Sequence, residues 1–77
     1  MLLKNKIKEY RSKNNINQED LARALGVSRQ TIISLENGRY NPSIILAYKI
    51  AKYFNSTIET IFCFEEEELW ENTRALL

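Results

Sequence analysis

Apolar residues recur along the chain at helical spacing, in short stretches separated by asparagine, glycine and proline. Between Lys4 and Asn14, Ile7 and Tyr10 stand three apart amid lysine and arginine, which predicts an amphipathic helix with a basic outer face. Asn14-Asn15 stops it. Asn17 can cap a second helix, with Glu19 and Asp20 near the positive end of its dipole and Leu21, Ala22 and Leu25 as its apolar stripe. Gly26 ends that helix, where a left-handed backbone is often needed. Ser28 caps a third helix whose Ile32 and Leu35 point inward, and Asn37-Gly38 ends it. Ser43, just after Pro42, caps a fourth, in which Ile44, Ala47, Ile50, Ala51 and Phe54 are expected to face the core. Thr57 opens a short fifth helix carrying Ile58 and Ile61. Phe62-Cys63-Phe64 is too short and aromatic to continue it and fits a strand, with Met1-Leu2-Leu3 as the natural partner.

A length of 77 residues suits one domain with a modest core, which self-association would help to stabilise. The body is expected over residues 1–64 and an acidic tail over 65–77. No apolar run approaches bilayer length, and Met1-Leu2-Leu3 is too short for a secretion signal, so a cytoplasmic location and no membrane partner are expected. Cys63 is alone and reads as a packed thiol between Phe62 and Phe64. The chain has no histidine, which removes histidine-based catalysis and the usual zinc sets. It also lacks a phosphate-cradling glycine loop and paired acids, so an enzyme is the least expected class, and neither cofactor nor metal is expected. Asn55-Ser56-Thr57 matches a glycosylation sequon, taken as coincidence without a secretion signal.

Charge changes the picture more. The formal net charge is +1, yet residues 1–64 hold ten Lys/Arg against five Asp/Glu, while residues 65–77 hold five Glu and one Arg. A basic body of +5 can bind a polyanion that the whole-chain charge conceals.

The sharpest signal is the spacing between Gln18 and Leu35. Counting from Gln18, a small residue stands fifth (Ala22), glycine ninth (Gly26), and apolar residues fourth, eighth, tenth, fifteenth and eighteenth (Leu21, Leu25, Val27, Ile32, Leu35). The small residue lets two helices cross closely, the glycine makes the turn, and the apolar residues lock the crossing from inside. Two short helices so joined fit a DNA major groove. On the outer face of the third helix, Arg29, Gln30, Ile33 and Asn37 fall together, opposite Ile32 and Leu35. Arginine can bond the O6/N7 edge of guanine, glutamine the N6/N7 edge of adenine, and an isoleucine can meet a thymine methyl. Thr31 and Ser34 flank this face, Ser28 can add a phosphate contact to its cap, and Arg39 and Tyr40 follow beside the groove. Glu36 would be repelled by phosphates and is better placed as a structural partner of a basic residue of the first helix. The Lys4/Lys6/Lys8/Arg11/Lys13 set reads as a solvated face adding general attraction.

These residues resemble the Cro/CI-type (Xre) helix-turn-helix regulators. The matching segments are Asn17-Gln18-Glu19-Asp20-Leu21-Ala22, Leu25-Gly26-Val27-Ser28, Thr31-Ile32, Leu35-Glu36-Asn37-Gly38, Asn41-Pro42-Ser43 and Lys49-Ile50-Ala51-Lys52, covering about residues 4–62. The resemblance implies a mainly α, five-helix, lambda-repressor-like DNA-binding domain, and its compact subgroup implies a short antiparallel pair of terminal strands and a homodimer. It implies base contacts at Arg29, Gln30 and Ser34, and phosphate contacts at Asn17, Gln18, Asn37 and Arg39. Ile33 departs from the polar residues common at that place in the family. Ile58, Ile61, Phe62 and Phe64 are the expected dimer surface; Ile45 and Tyr53 form a further patch, open between association and a local role.

The expected activity is sequence-specific regulation of transcription, most simply repression, by a homodimer on an inverted-repeat operator. The alternative is an antitoxin-like or partner-controlled regulator whose tail binds another protein. A third reading, a protein-interaction module that lost DNA binding, conflicts with Arg29, Gln30 and Arg39. For the tail, the simplest reading is a solubilising end. Leu69, Trp70, Thr73, Leu76 and Leu77 alternatively mark one side of a short helix, and the acid run could instead compete with DNA for the basic body.

Overall fold

The computed structural model describes residues 2–75. Met1, Leu76 and Leu77, which the sequence offered to a strand and to a helix face, lie outside the described residues, as does the side chain of Thr73. The order is β1 (Lys4–Asn5), α1 (Ile7–Lys13), α2 (Gln18–Leu25), α3 (Arg29–Glu36), α4 (Ile44–Tyr53), α5 (Ile58–Ile61), β2 (Phe62–Cys63) and α6 (Glu66–Ala75). Five of these helices are those the apolar pattern marks, and the sixth lies in the tail.

Four helices start where a short polar side chain takes up a free backbone N–H. Asn17 accepts from the Asp20 amide, Ser28 from Thr31, Ser43 from Leu46 and Thr57 from Thr60. α1 has no such cap on Lys6; instead Asn5 Oδ1 accepts from the Ile7 amide at 3.1 Å. Left-handed residues follow the helices: Asn15 after α1, Gly26 after α2, Gly38 after α3 and Asn55 after α4.

The core gathers Ile7, Leu21, Leu25, Ile32, Leu35, Ile50, Ile61 and Phe62, together with the buried Ala22, Ala47 and Ala51. Tyr10 packs its ring 5.6 Å from that of Phe54 at the margin.

Four expectations need correction. The N-terminal strand is Lys4–Asn5, not Met1–Leu3, and pairs antiparallel with Lys4 opposite Cys63 and Asn5 opposite Phe62. The Leu3 amide is instead taken by Asn41 Oδ1 at 2.8 Å, and Asn5 Nδ2 donates to the Leu35 carbonyl at 2.7 Å, which fixes the register. The first helix accordingly starts at Ile7 rather than Lys4. Ile44 does not face the core: as the first residue of α4 it projects beyond the body and is 80 % exposed, and half-buried Leu46 packs inward there. Ile61 and Phe62 are fully buried within the protomer, so their side chains are already used and do not face a second copy. Of that set, Ile58 is half-buried and Phe64 exposed.

Candidate nucleic-acid interface

The site is built on the crossing of α2 and α3. Gly26 has φ 73°, and a Cβ there would meet nothing within 4 Å, so the backbone rather than space demands glycine. Beyond the turn the Val27 amide donates to the Ala22 carbonyl at 3.0 Å. Leu21, Ala22 and Leu25 then join Ile32 and Leu35 in one core, which sets the angle at which α3 leaves the body.

Arg29 and Gln30 occupy the first turn of α3 and are exposed. Ser28 and Thr31 are engaged with each other: Ser28 Oγ accepts the Thr31 amide at 3.1 Å, and the two hydroxyls share a hydrogen bond at 2.9 Å. Ile33 and Ser34 are half-buried, so the α3 face presents only part of each. Asn37 is exposed at the end of α3, and Arg39 and Tyr40 are exposed in the loop beyond. Gly38, at φ 65°, makes the bend between them, and a Cβ there would lie 3.7 Å from the Leu3 carbonyl oxygen.

Asn17, Gln18 and Arg29 line one open concavity of about 450 Å³ with Arg11 and Glu19. The start of α2 and the start of α3 thus converge. Ser34, Asn37, Arg39 and Tyr40 do not belong to that concavity; they follow the far end of α3 and its loop. Among the described residues no carboxylate pairs with Arg29 or Arg39, whereas Glu19 and Asp20 are each within ion-pair reach of Arg23, at 3.9 and 3.6 Å.

Glu36 has the structural role expected of it. Arg11 Nε donates to Glu36 Oε2 at 2.8 Å and Arg11 Nη2 to Oε1 at 3.2 Å, with the two side chains 14 % and 5 % exposed. Arg11 Nη1 also donates to the Ile16 carbonyl, and Gln18 Nε2 to Glu36 Oε1, both at 3.1 Å. One carboxylate therefore ties α3 to α1 and to the first residue of α2, and its charge is neutralised where phosphates would be repelled. Sequence reasoning placed Arg11 on the solvated face and so missed it. The signal was its position four residues after Ile7, on the inward side of α1.

Comparison with known proteins agrees with this geometry. The helix-turn-helix family model matches residues 7–61. The chain is 59 % identical over 69 residues to an uncharacterised HTH-type transcriptional regulator of Archaeoglobus fulgidus, across 90 % of this chain and 97 % of that one. It is 26 % identical over 74 residues to the cryptic phage CTXphi transcriptional repressor RstR of Vibrio cholerae, across 96 % of this chain and 67 % of RstR. Among solved structures, a chain of the SinR protein/SinI protein complex superposes with a TM-score of 0.68 at 28 % identity, covering 91 % of this chain and 72 % of that one. The chain belongs to the helix-turn-helix family of Cro/CI (Xre) type, and is a DNA-binding transcriptional regulator rather than an enzyme.

Proposed function

We propose that this regulator represses transcription in the cytoplasm by binding an inverted-repeat operator as a homodimer, with α3 in the major groove of each half-site. The observation that carries this reading is the convergence of Arg29 with Asn17 and Gln18 on one concavity. It suits the edge of a major groove. The positive end of α2 and its Asn17 and Gln18 side chains meet a backbone phosphate. Gln18 spends one N–H on Glu36 and keeps a second donor for that phosphate. Arg29 and Gln30 reach the base edges, with Ile33 and Ser34 beside them. Ser28, Thr31, Asn37, Arg39 and Tyr40 set the register through the backbone. Repression follows where the operator overlaps a promoter, and the distant likeness to RstR supports that sense of regulation.

The test is selection of bound sequences from a random DNA pool with the full chain. The expected result is a two-fold symmetric consensus with half-sites about one helical turn, ~34 Å, apart. Recovery of sequences without symmetry would count against the dimer, and recovery of no consensus would count against specific readout. A second reading, control by a partner protein bound to the tail, is favoured by exposed Leu69 and Trp70 on α6. It predicts capture of a partner by the full chain and none by residues 1–64.

A further inference from the structure

We propose that α6 of one copy docks into the groove between α4 and α5 of a second copy, and reciprocally, so that exchanged helices form the dimer contact. The proposal deepens the homodimeric reading above and rests on it.

Four observations lead there. First, α6 presents Trp70 to solvent at 55 % exposure, and among the described residues this helix has no extensive contact with another element. Second, an open groove of about 240 Å³ lies where α4 meets the start of α5, with Tyr48, Ala51 and Ile58 as its apolar members and Lys52 and Glu59 as its charged ones. That volume is of the order of one large aromatic side chain, and none of these residues belongs to the α3 readout face. Third, charges match. α4 carries Lys49 and Lys52 and no acid, while α6 carries four Glu and one Arg. Glu66, Glu67 and Glu71 lie on the exposed surface around Leu69 and Trp70. An acidic helix carrying an indole thus complements a basic helix whose Lys52 borders the apolar groove, with Glu59 as the acid among the groove's lining residues. Fourth, α6 does not fill the groove of its own chain, where the Lys52 ammonium lies 5.4 Å from the centre of the Tyr48 ring. Its Leu69 sits with Phe64, Glu59 and Glu66 at the neighbouring hollow of about 350 Å³, and Trp70 lines neither hollow. Just before α6, Glu65 comes within 4.0 Å of Lys4, both side chains being exposed.

A second copy satisfies all four at once. Reciprocal docking uses the same patch on both subunits and closes after two, as a two-fold interface requires. Each indole leaves water, and each Lys49/Lys52 pair gains the partner's Glu67 and Glu71.

The test uses the full chain and two charge-reversed variants, Lys49→Glu with Lys52→Glu, and Glu67→Lys with Glu71→Lys. All four positions are exposed, so the fold is retained. Each variant alone is expected to raise the dimer dissociation constant about tenfold or more in sedimentation. The equimolar mixture is expected to recover wild-type association, because each α6 then meets an α4 of opposite charge in the other chain. Trp70 is the chain's one tryptophan, so its emission should shift to the blue with concentration, in step with dimer formation, and Trp70→Ala should weaken the dimer alike. The proposal is overturned if the mixture stays as weak as the separate variants, or if Trp70→Ala dimerises like wild type. It is equally overturned if the emission is already blue where sedimentation shows a monomer, which places the indole in its own chain, or if the wild-type chain stays monomeric. Binding of Arg29→Ala to the selected DNA is followed in parallel. If Arg29 matters but the mixture does not recover, the α6 contact alone is wrong; if Arg29→Ala binds like wild type, the operator reading fails on its own.

Discussion

At the scale of the residue, two kinds of charge do different work. Arg11 and Glu36 are drawn almost wholly out of water and hold each other by two hydrogen bonds. Removing either leaves the other buried and uncompensated. Glu36→Ala is therefore expected to lower unfolding free energy by ~3 kcal/mol in urea titration, against ~0.5 kcal/mol or less for Arg23→Ala, whose partners are exposed. Replacing both members of the buried pair by apolar residues should recover much of the loss. Arg29 and Arg39 are the opposite case, exposed and without a carboxylate partner among the described residues. Arg29→Ala should cost ~1–3 kcal/mol of discrimination at one base pair. Arg39→Ala should weaken binding evenly across sequences and reduce the salt slope by about one. Both are checked by binding titrations on selected and scrambled DNA. Glu36 was legible in the sequence because a carboxylate on a surface expected to meet phosphates needs a reason to be there. Arg11 was less legible: five basic residues crowd the first thirteen positions, and only spacing from Ile7 separates the inward one from the solvated four.

At the scale of the element, helix starts were legible because capping is local chemistry. Asn17, Ser28, Ser43 and Thr57 each accept the bond that their position anticipates. The strand register was not, because two-residue strands carry no alternation and Asn41 and Leu35, distant in sequence, decide it. Ile44 fell on the right helical stripe but one turn too early, where α4 has left the body. Ser28 offers a test that separates stability from contact. Ser28→Ala should cost ~1 kcal/mol of stability and loosen the turn that presents Arg29 and Gln30. Ser28→Asp should restore the cap, and with it the melting temperature, while DNA affinity stays low because a carboxylate beside a phosphate is repelled.

At the scale of the whole molecule, the +1 net charge is a balance between a +5 body and a −4 tail. Removing residues 65–77 should raise non-specific affinity for DNA at low salt and steepen its salt dependence, measured by anisotropy on random duplex. The same truncation should weaken operator binding if α6 joins the two subunits, so the two affinities are expected to move in opposite directions. The overall family was legible because its scaffold is periodic and its turn needs glycine. The tail was not, because an acidic stretch with one amphipathic side fits both a frayed end and a docking helix.

The tie between the first residues and the loop after α3 has a consequence for anything joined to this chain. Leu3 gives its amide to Asn41 and brings its carbonyl oxygen close to Gly38, so the chain enters the body directly beside Arg39 and Tyr40. A segment fused ahead of Leu2 emerges on the side where the backbone of the duplex is expected. A bulky folded tag there would crowd out the operator, whereas a short lysine-rich leader would act as an arm along the phosphates, raising affinity without altering which sequence is chosen.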